Sequence, residues 1–390
     1  MTQLLIHNIY PLLNNAQPER GWILIEDARF AQIGTGDAPT FADAEMIDGG
    51  GKTALPGFID LHVHGALGHD TMDATPEGLE AMSHFFATCG VTSLLPTTMT
   101  ASESSIHRAL ENIALNTGPV ENGATILGAH LEGPYLNINM KGAQDGQHIR
   151  RANPAEYAPW LGFDVIRQTT VAPEFMENQV FIRDCAKRGI NISIGHTQAT
   201  YEEVQTAITQ GAAQATHTFN AMTGIHHRAP GTAGAVLTLD AITCELVADN
   251  VHLHPAIVKL VVRAKGSQGV VLITDAIVGT GMPDGQYQFG GQTVTVGYGM
   301  ATLSDGTLAG SVLTMDRALR NILKATGLTL AEAWPMTSAN AARQIGIADR
   351  KGKLTVGLDA DLVLLDSENE VDLTIVEGRI VYRREKKSVS

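Results

Sequence analysis

The chain has 390 residues, 44% of them hydrophobic, enough for one large domain with a smaller one beside it. Its 41 acidic against 27 basic side chains give a net charge of −14 with no basic block. That balance argues against nucleic acid as the main partner while leaving room for a local anion pocket.

The N-terminal stretch MTQLLIHNIYPLLNN lacks a basic region followed by a long apolar run, and no segment reaches 18 consecutive apolar residues. Neither a signal peptide nor a membrane span is expected. Cys89, Cys185 and Cys244 are widely spaced and odd in number, which suits reduced thiols in a cytoplasmic enzyme. Residues 1–54 alternate short strand-like runs with turns, and such strands need sheet partners. Partners are expected at the far end, in Lys353–Val356, Ala360–Asp366 and Leu373–Tyr382. The two chain ends, 1–54 and 346–390, are therefore expected to meet in a small β-sandwich domain.

Between them, over residues 55–345, eight strand candidates alternate with helical patterns. They are Gly57–His64, Thr92–Thr98, Thr125–Glu132, Val165–Ala172, Asn191–His196, Gln214–Thr218, Cys244–Asp249 and Val270–Asp275. Helical patterns follow at Pro76–Cys89, Ser102–Asn116, Glu174–Arg188, Thr200–Gln210 and His254–Ala264. Near-continuous apolar strands alternating with helices indicate a parallel sheet buried on both faces. Eight such units predict an α/β fold, a (β/α)8 TIM-like barrel. A doubly wound open sheet is the competing architecture, but the Gly-rich phosphate loop usual after its first strand is missing. Residues Ile277–Leu308 read as an insertion or loop, and helical patterns at Leu313–Thr326 and Leu330–Ile345 close the region.

Active sites of such barrels sit at the C-terminal strand ends. The first end carries His62 and His64, which alternation on a strand projects to one face. The third carries Glu132, the fifth His196, the sixth His217 and the eighth Asp275. A single strand-end histidine is commonly structural. Histidines and carboxylates at so many successive ends point instead to a divalent metal, zinc first among the candidates. Glu132, His196 and His217 would make a three-ligand site. His62 and His64 would hold a second ion, with Glu132 between the two. An ion of this kind lowers the pKa of water toward ~7, and Asp275 is then the natural general base. These parts describe metal-assisted hydrolysis of an amide or similar bond.

With these residues in hand, the chain resembles the amidohydrolase superfamily and, within it, the N-acetylglucosamine-6-phosphate deacetylase family. The match runs through PGFIDLHVHG, HLEGPYLN, KGAQ, GHT, THTFNAM, RAPGTAGA, ADNVH, ITDA, LAGS and GKLTVGLDADLVLLD, in order along nearly the whole chain. The resemblance implies removal of the N-acetyl group of N-acetylglucosamine 6-phosphate, the galacto epimer being the alternative substrate. It also implies one or two metal ions and a homodimer. Glu132, His196 and His217 match the family's main metal ligands, and Asp275 its catalytic acid/base. Asn220 and Ala221 fall where amide contacts to substrate lie, and His252 matches a substrate-binding histidine. Leu308, Ala309 and Gly310 match a loop covering the sugar. Arg228 matches an arginine that pairs with the sugar phosphate, a role suited to its planar paired donors. His226 and His227 beside it would touch the anion across a subunit interface.

Two departures stand out. Ala143 and Gln144 occupy the segment in which some members carry a histidine that polarises the acetyl carbonyl. Gln144 can donate a hydrogen bond there but carries no charge. Asn250 stands where glycine is common.

Overall fold

The computed structural model of the chain describes residues 3–13 and 18–385. Residues 1, 2, 14–17 and 386–390, which the expected end domain includes, lie outside that description.

Eight parallel strands form the centre: Phe58–Val63, Val91–Pro96, Ala129–Glu132, Ile166–Val171, Asn191–Ile194, Ala212–Ala215, Thr243–Leu246 and Val270–Leu272. The first two share one sheet and the last six follow one another in sequence order in a second. A bridge between Thr97 and His130 joins the two sheets, and a bridge between Val63 and Ala276 brings the first strand beside the end of the eighth. The parallel sheet is thus curled until its edges meet. Every residue of Phe58–Val63 and of Val91–Pro96 is buried, as strands covered on both faces require.

The expected third strand is split into Thr125–Ile126 and Ala129–Glu132. The break falls at Gly128, whose φ is 142° and whose missing Cβ would lie 2.3 Å from the Val165 carbonyl oxygen. Only glycine fits there. Helices start where the sequence supplies caps. Thr75 accepts from Gly78 N ahead of Pro76, and Thr200 and Glu203 form a reciprocal capping box. The pattern over Leu330–Ile345 does not make one helix. Pro335 lacks the N–H that would continue it, so a short helix, a 3-10 turn and a second short helix replace it.

Both chain ends enter one mixed sheet of seven strands. Its order is Arg379–Arg383, Val371–Val376, Leu362–Leu365, Glu45–Pro56, Gln3–Pro11, Gly21–Glu26 and Arg29–Thr35. Gln3–Pro11 and Glu45–Pro56 run parallel and the remaining neighbours antiparallel. One apolar cluster draws Ile6, Ile23 and Phe30 from the N-terminal strands together with Leu362, Leu373 and Ile375 from the C-terminal ones. Lys353–Val356 is not a strand. It pairs with no neighbour, and Leu354 is buried in that cluster while Thr355 and Val356 are exposed.

The segment read as a loop before residue 308 carries a three-stranded antiparallel hairpin, Gly285–Phe289, Gln292–Gly297 and Met300–Thr302. Its inner side chains Phe289, Val294, Val296 and Ala301 pack on Ile277 and Ala309 beside the C-terminal strand ends. No helix among the described residues is long and apolar enough to cross a membrane.

Candidate active site

The expected metal ligands converge at the C-terminal ends of the parallel strands. Glu132 lies at the centre. Its Oε1 is 3.2 Å from His196 Nε2, 3.3 Å from His217 Nε2 and 3.6 Å from His62 Nε2. Its Oε2 is 3.4 Å from His64 Nε2. Two groups of donors, His62–His64–Glu132 and Glu132–His196–His217, each have ligand atoms within 4.8 Å of one another. The donor chemistry fits a divalent ion. The Nε2 atoms of His196 and His217 face each other at 3.1 Å, and those of His62 and His64 at 3.2 Å. Neutral imidazoles aim lone pairs at each other only when a proton or a cation lies between them.

Asp275 sits beside the first of these groups, its Oδ1 3.4 Å from His64 Nε2 and 3.6 Å from His62 Nε2. The backbone here is strained. His196, His217 and Asp275 have φ of 48°, 28° and 52°, the left-handed region that L residues seldom adopt. Such residues persist only where the surroundings over-determine them, and they cluster at functional sites. The surroundings here are specific. Asp275 donates its N–H to the His62 carbonyl, and its own carbonyl accepts from Ser311 N. A Cβ at Gly310 would lie 2.8 Å from the Asp275 carbonyl oxygen, so this neighbour must be glycine.

Buried charges set the protonation. Burial alone would lower the His64 pKa, but hydrogen bonds to Asp275 and Glu132 raise it to about 9. Burial would likewise lower His62, yet the charges of Glu132 and Asp275 carry it well above the ordinary imidazole value. The carboxylates move oppositely. Burial would raise Glu132 and Asp275, but the facing imidazoles hold both well below the ordinary carboxylate range.

These shifts fix a sign. A histidine whose pKa rises on folding contributes stability below its unfolded value of about 6.5, and that contribution is lost as pH climbs through the folded value. The metal-free protein is expected to lose thermal midpoint between about pH 7 and about pH 10. A bound divalent ion, which takes the place of those protons, is expected to flatten that loss. Scanning calorimetry of chelated and ion-loaded protein checks this. A midpoint of the metal-free protein that does not fall across the window would refute it.

Above the carboxylates opens a cavity of about 340 Å³. Of the sequence-predicted contacts, Ala143, Gln144, Asn220, Ala221, His252, Leu308 and Gly310 line it, with His64, Glu132, His196, His217 and Asp275 at its floor. His62 is fully buried below them. Ala309 turns away from the cavity into the apolar cluster under the hairpin. Arg228 is exposed and not part of the wall, and its Nη1 lies 2.7 Å from His227 Nε2. Among the described residues the cavity wall contains no lysine or arginine. Gln144 is engaged differently from expectation. Its Nε2 donates to Glu132 Oε2 at 2.7 Å, and its Oε1 accepts from Thr100 N at 2.7 Å. One N–H of its amide braces Glu132, and the second remains a donor at the cavity wall.

The chain belongs to the amidohydrolase family. That family's profile matches residues 53–381, well over half of the sequence. N-acetylglucosamine-6-phosphate deacetylase of Lysinibacillus sphaericus is 41% identical over 379 residues, 97% of each chain. N-acetylgalactosamine-6-phosphate deacetylase of Escherichia coli O157:H7 is 37% identical over 87% of this chain and 89% of its own. Among solved structures, a Mycobacterium smegmatis N-acetyl-D-glucosamine-6-phosphate deacetylase variant in complex with N-acetyl-D-glucosamine-6-phosphate aligns with TM-score 0.90 and 31% identity. The alignment covers 98% of this chain and all of the other.

Further polar residues of this amidohydrolase, to which the strand-end reading gives no role, pack around the site's side chains. Asp249 holds His252 through an Nδ1–Oδ2 contact of 2.7 Å and accepts from Val251 N and His252 N. Burial would lower the His252 pKa, and Asp249 raises it. His130, one residue from the strand end at Glu132, is fully buried with its ring edge-on to His62 at 4.5 Å between centroids. Asp60 and Glu245 are buried carboxylates inside apolar strands. Asp60 accepts from Thr274 Oγ1 at 2.6 Å, and burial lifts its pKa to about 6. Their signal was legible: a lone charge at a position where the flanking pattern demands an apolar side chain.

Proposed function

We propose that this amidohydrolase hydrolyses the acetamide of N-acetylglucosamine 6-phosphate, releasing acetate and the free amino sugar phosphate. The observation that carries the reading is the placement of Asp275 beside the His62–His64–Glu132 group, which shares Glu132 with His196 and His217, on the floor of a cavity of about 340 Å³. The two deacetylase names among its relatives give the substrate class.

In this reading Glu132, His196 and His217 hold one divalent ion, with zinc the expected metal, and His62 and His64 hold a second with Glu132 between. Such an ion supplies polarisation of the acetyl oxygen and acidifies water at neutral pH. Asp275 takes the proton from the attacking water as its oxygen bonds to the acetyl carbon. It then gives that proton to the nitrogen as the C–N bond breaks, leaving acetate and an amine. His252, held by Asp249 through Nδ1, presents Nε2 toward the acetyl oxygen and stabilises its developing charge. Gln144, whose Nε2 donates one N–H to Glu132, has a second N–H that can share the acetyl oxygen with His252. Asn220, Ala221, Ala143, Leu308 and Gly310 shape the sugar site. The cytoplasmic location, the homodimer and the division into a 55–345 barrel and a small β domain of 1–54 with 346–390, whose described strands form one sheet where two facing sheets are expected, belong to the same reading. The closed ring of strands and the core shared by both chain ends support the division.

Among the described residues the cavity wall has no lysine or arginine, and the phosphate is assigned to the exposed loop that carries Arg228, with His226 and His227 beside it. Arg228→Ala is expected to raise KM for the phosphorylated sugar by roughly 10–100-fold while kcat changes little, the loss expected of charge-assisted hydrogen bonds. An unchanged KM would remove Arg228 from the phosphate site.

The deciding experiment is acetate release from N-acetylglucosamine 6-phosphate and its galacto epimer, with the unphosphorylated sugars alongside. Chelated protein is assayed with and without added Zn²⁺. Turnover restored by the ion and confined to phosphorylated sugars supports the reading, and the ratio of rates decides the epimer. No turnover of either phosphorylated sugar would overturn it.

A further inference from the structure

Glu245 lies in the middle of the strand Thr243–Leu246, fully buried. Among the described residues its only ionic partner is His62, whose Nδ1 is 3.3 Å from Glu245 Oε2. The same oxygen accepts from His217 N at 3.2 Å. The other oxygen, Oε1, accepts from Gln168 Nε2 at 2.8 Å and from Gln214 Nε2 at 2.5 Å. These two glutamines are themselves oriented. The Gln168 Oε1 accepts from Asn191 Nδ2 and from Gln214 Nε2, and Gln214 Oε1 accepts from Asn191 Nδ2. With both amide oxygens occupied as acceptors, each glutamine can offer Glu245 only N–H groups. The three amides therefore form a directed network that ends on one carboxylate.

That network dictates how His62 must sit. A carboxylate accepts and cannot donate, so the His62 Nδ1 facing it carries the proton. The lone pair is then left on Nε2, the atom that faces His64 Nε2 and Glu132. A buried carboxylate with no lysine or arginine beside it is costly unless a cation balances it. In the metal-free protein a protonated His62 supplies that balance; an ion held on Nε2 would replace the second proton, in the carboxylate–histidine–metal arrangement that orients ligands from behind.

We propose that Glu245 is a positioning residue that fixes His62 as a ligand through Nε2 and so makes the His62–His64 half of the site able to hold a second divalent ion. The proposal rests on the metal-site reading above and deepens it. It also separates the two halves. His196 receives nothing from Glu245; its Nδ1 faces the Met140 carbonyl oxygen at 2.8 Å instead. His217 is contacted only through its backbone.

The test counts ions rather than turnover. Native protein and Glu245→Gln are equilibrated with Zn²⁺, desalted and analysed for zinc per subunit, and the weaker site is titrated with a competing chelator. In the variant, a side-chain amide oriented with its N–H groups toward His62 meets a protonated Nδ1, and oriented the other way it meets the glutamine donors. The expected result is two ions in the native protein and one in the variant, or a fall of roughly 10–100-fold in affinity at the weaker site alone. Two ions held in the variant with native affinity would overturn the proposal while leaving the metal-site reading intact. A native protein that binds no divalent ion would overturn both, and one that binds a single ion would overturn the proposal. Should the variant fail to fold, nitrogen NMR of histidine-labelled, zinc-loaded native protein gives an independent answer. A His62 with Nδ1–H and a coordinated Nε2 supports the assignment, and a coordinated Nδ1 or an Nε2–H overturns it.

Discussion

Replacing Asp275 with asparagine is expected to cut kcat by roughly 10²–10⁴-fold, the usual share of a proton carrier, with KM and metal content close to native. Asparagine keeps the shape and one acceptor oxygen but cannot take up a proton. Folding is not expected to suffer. The left-handed φ of 52° at this position is one that asparagine tolerates better than most residues, and the backbone bonds to His62 and Ser311 remain available. The carboxylate is suited to the task. Burial would raise its pKa, but the facing His62 and His64 hold it well below the ordinary carboxylate range, so it is ionised and able to accept. Steady-state kinetics with parallel zinc analysis checks the assignment. A kcat within tenfold of native would show that another group carries the proton. Loss of an ion from the variant would recast Asp275 as a ligand.

Glu132→Gln is expected to reach further, because this one side chain belongs to both donor groups. Four imidazole nitrogens lie within 3.6 Å of its oxygens, and Gln144 Nε2 fixes its rotation. An amide removes the negative charge that those rings surround. It also turns an N–H group toward one of the two positions where a cation would sit, or toward the donating Gln144. Both ions should be lost, with a fall in affinity exceeding the roughly 10–100-fold that an outer partner is worth, and turnover should fall below detection at ordinary zinc. Zinc content after desalting and activity against added Zn²⁺ measure the effect. Retention of both ions would mean that the histidines suffice and that Glu132 is not shared between them.

The thiols fit a protein that needs no disulfide. Cys89, Cys185 and Cys244 are all free, and burial pushes each thiol above its ordinary pKa, Cys244 to about 11. Such groups are poor nucleophiles at neutral pH.

The strands that bear the site were legible because each is a short apolar run stopped by a polar or glycine signal, and period-two alternation places His62 and His64 together without any tertiary information. The hairpin over residues 285–302 was missed for the opposite reason. Its strands alternate exposed and buried residues, but polar glutamines and glycines dilute the pattern. The helix Pro154–Gly162 was also passed over, although Asn153 ahead of Pro154 is a start signal and caps it. Arg228 shows a different limit. A motif carries its position along the chain but not the direction its loop takes, and here the side chain is exposed beside His227.

By itself, then, the sequence determined the order of strands, which histidines and carboxylates stand at their C-terminal ends, and the class of chemistry those residues allow. These follow from residue type and local spacing. Only the tertiary structure decided that Gln144 braces Glu132, that Arg228 lies outside the cavity wall, and that Glu245 backs His62 from a strand 183 residues away. The reason is physical. Local propensity acts over a few residues, whereas the curl of the parallel sheet brings distant strand ends within hydrogen-bond reach. In that dry interior each buried charge must find its partner across the barrel rather than along the chain.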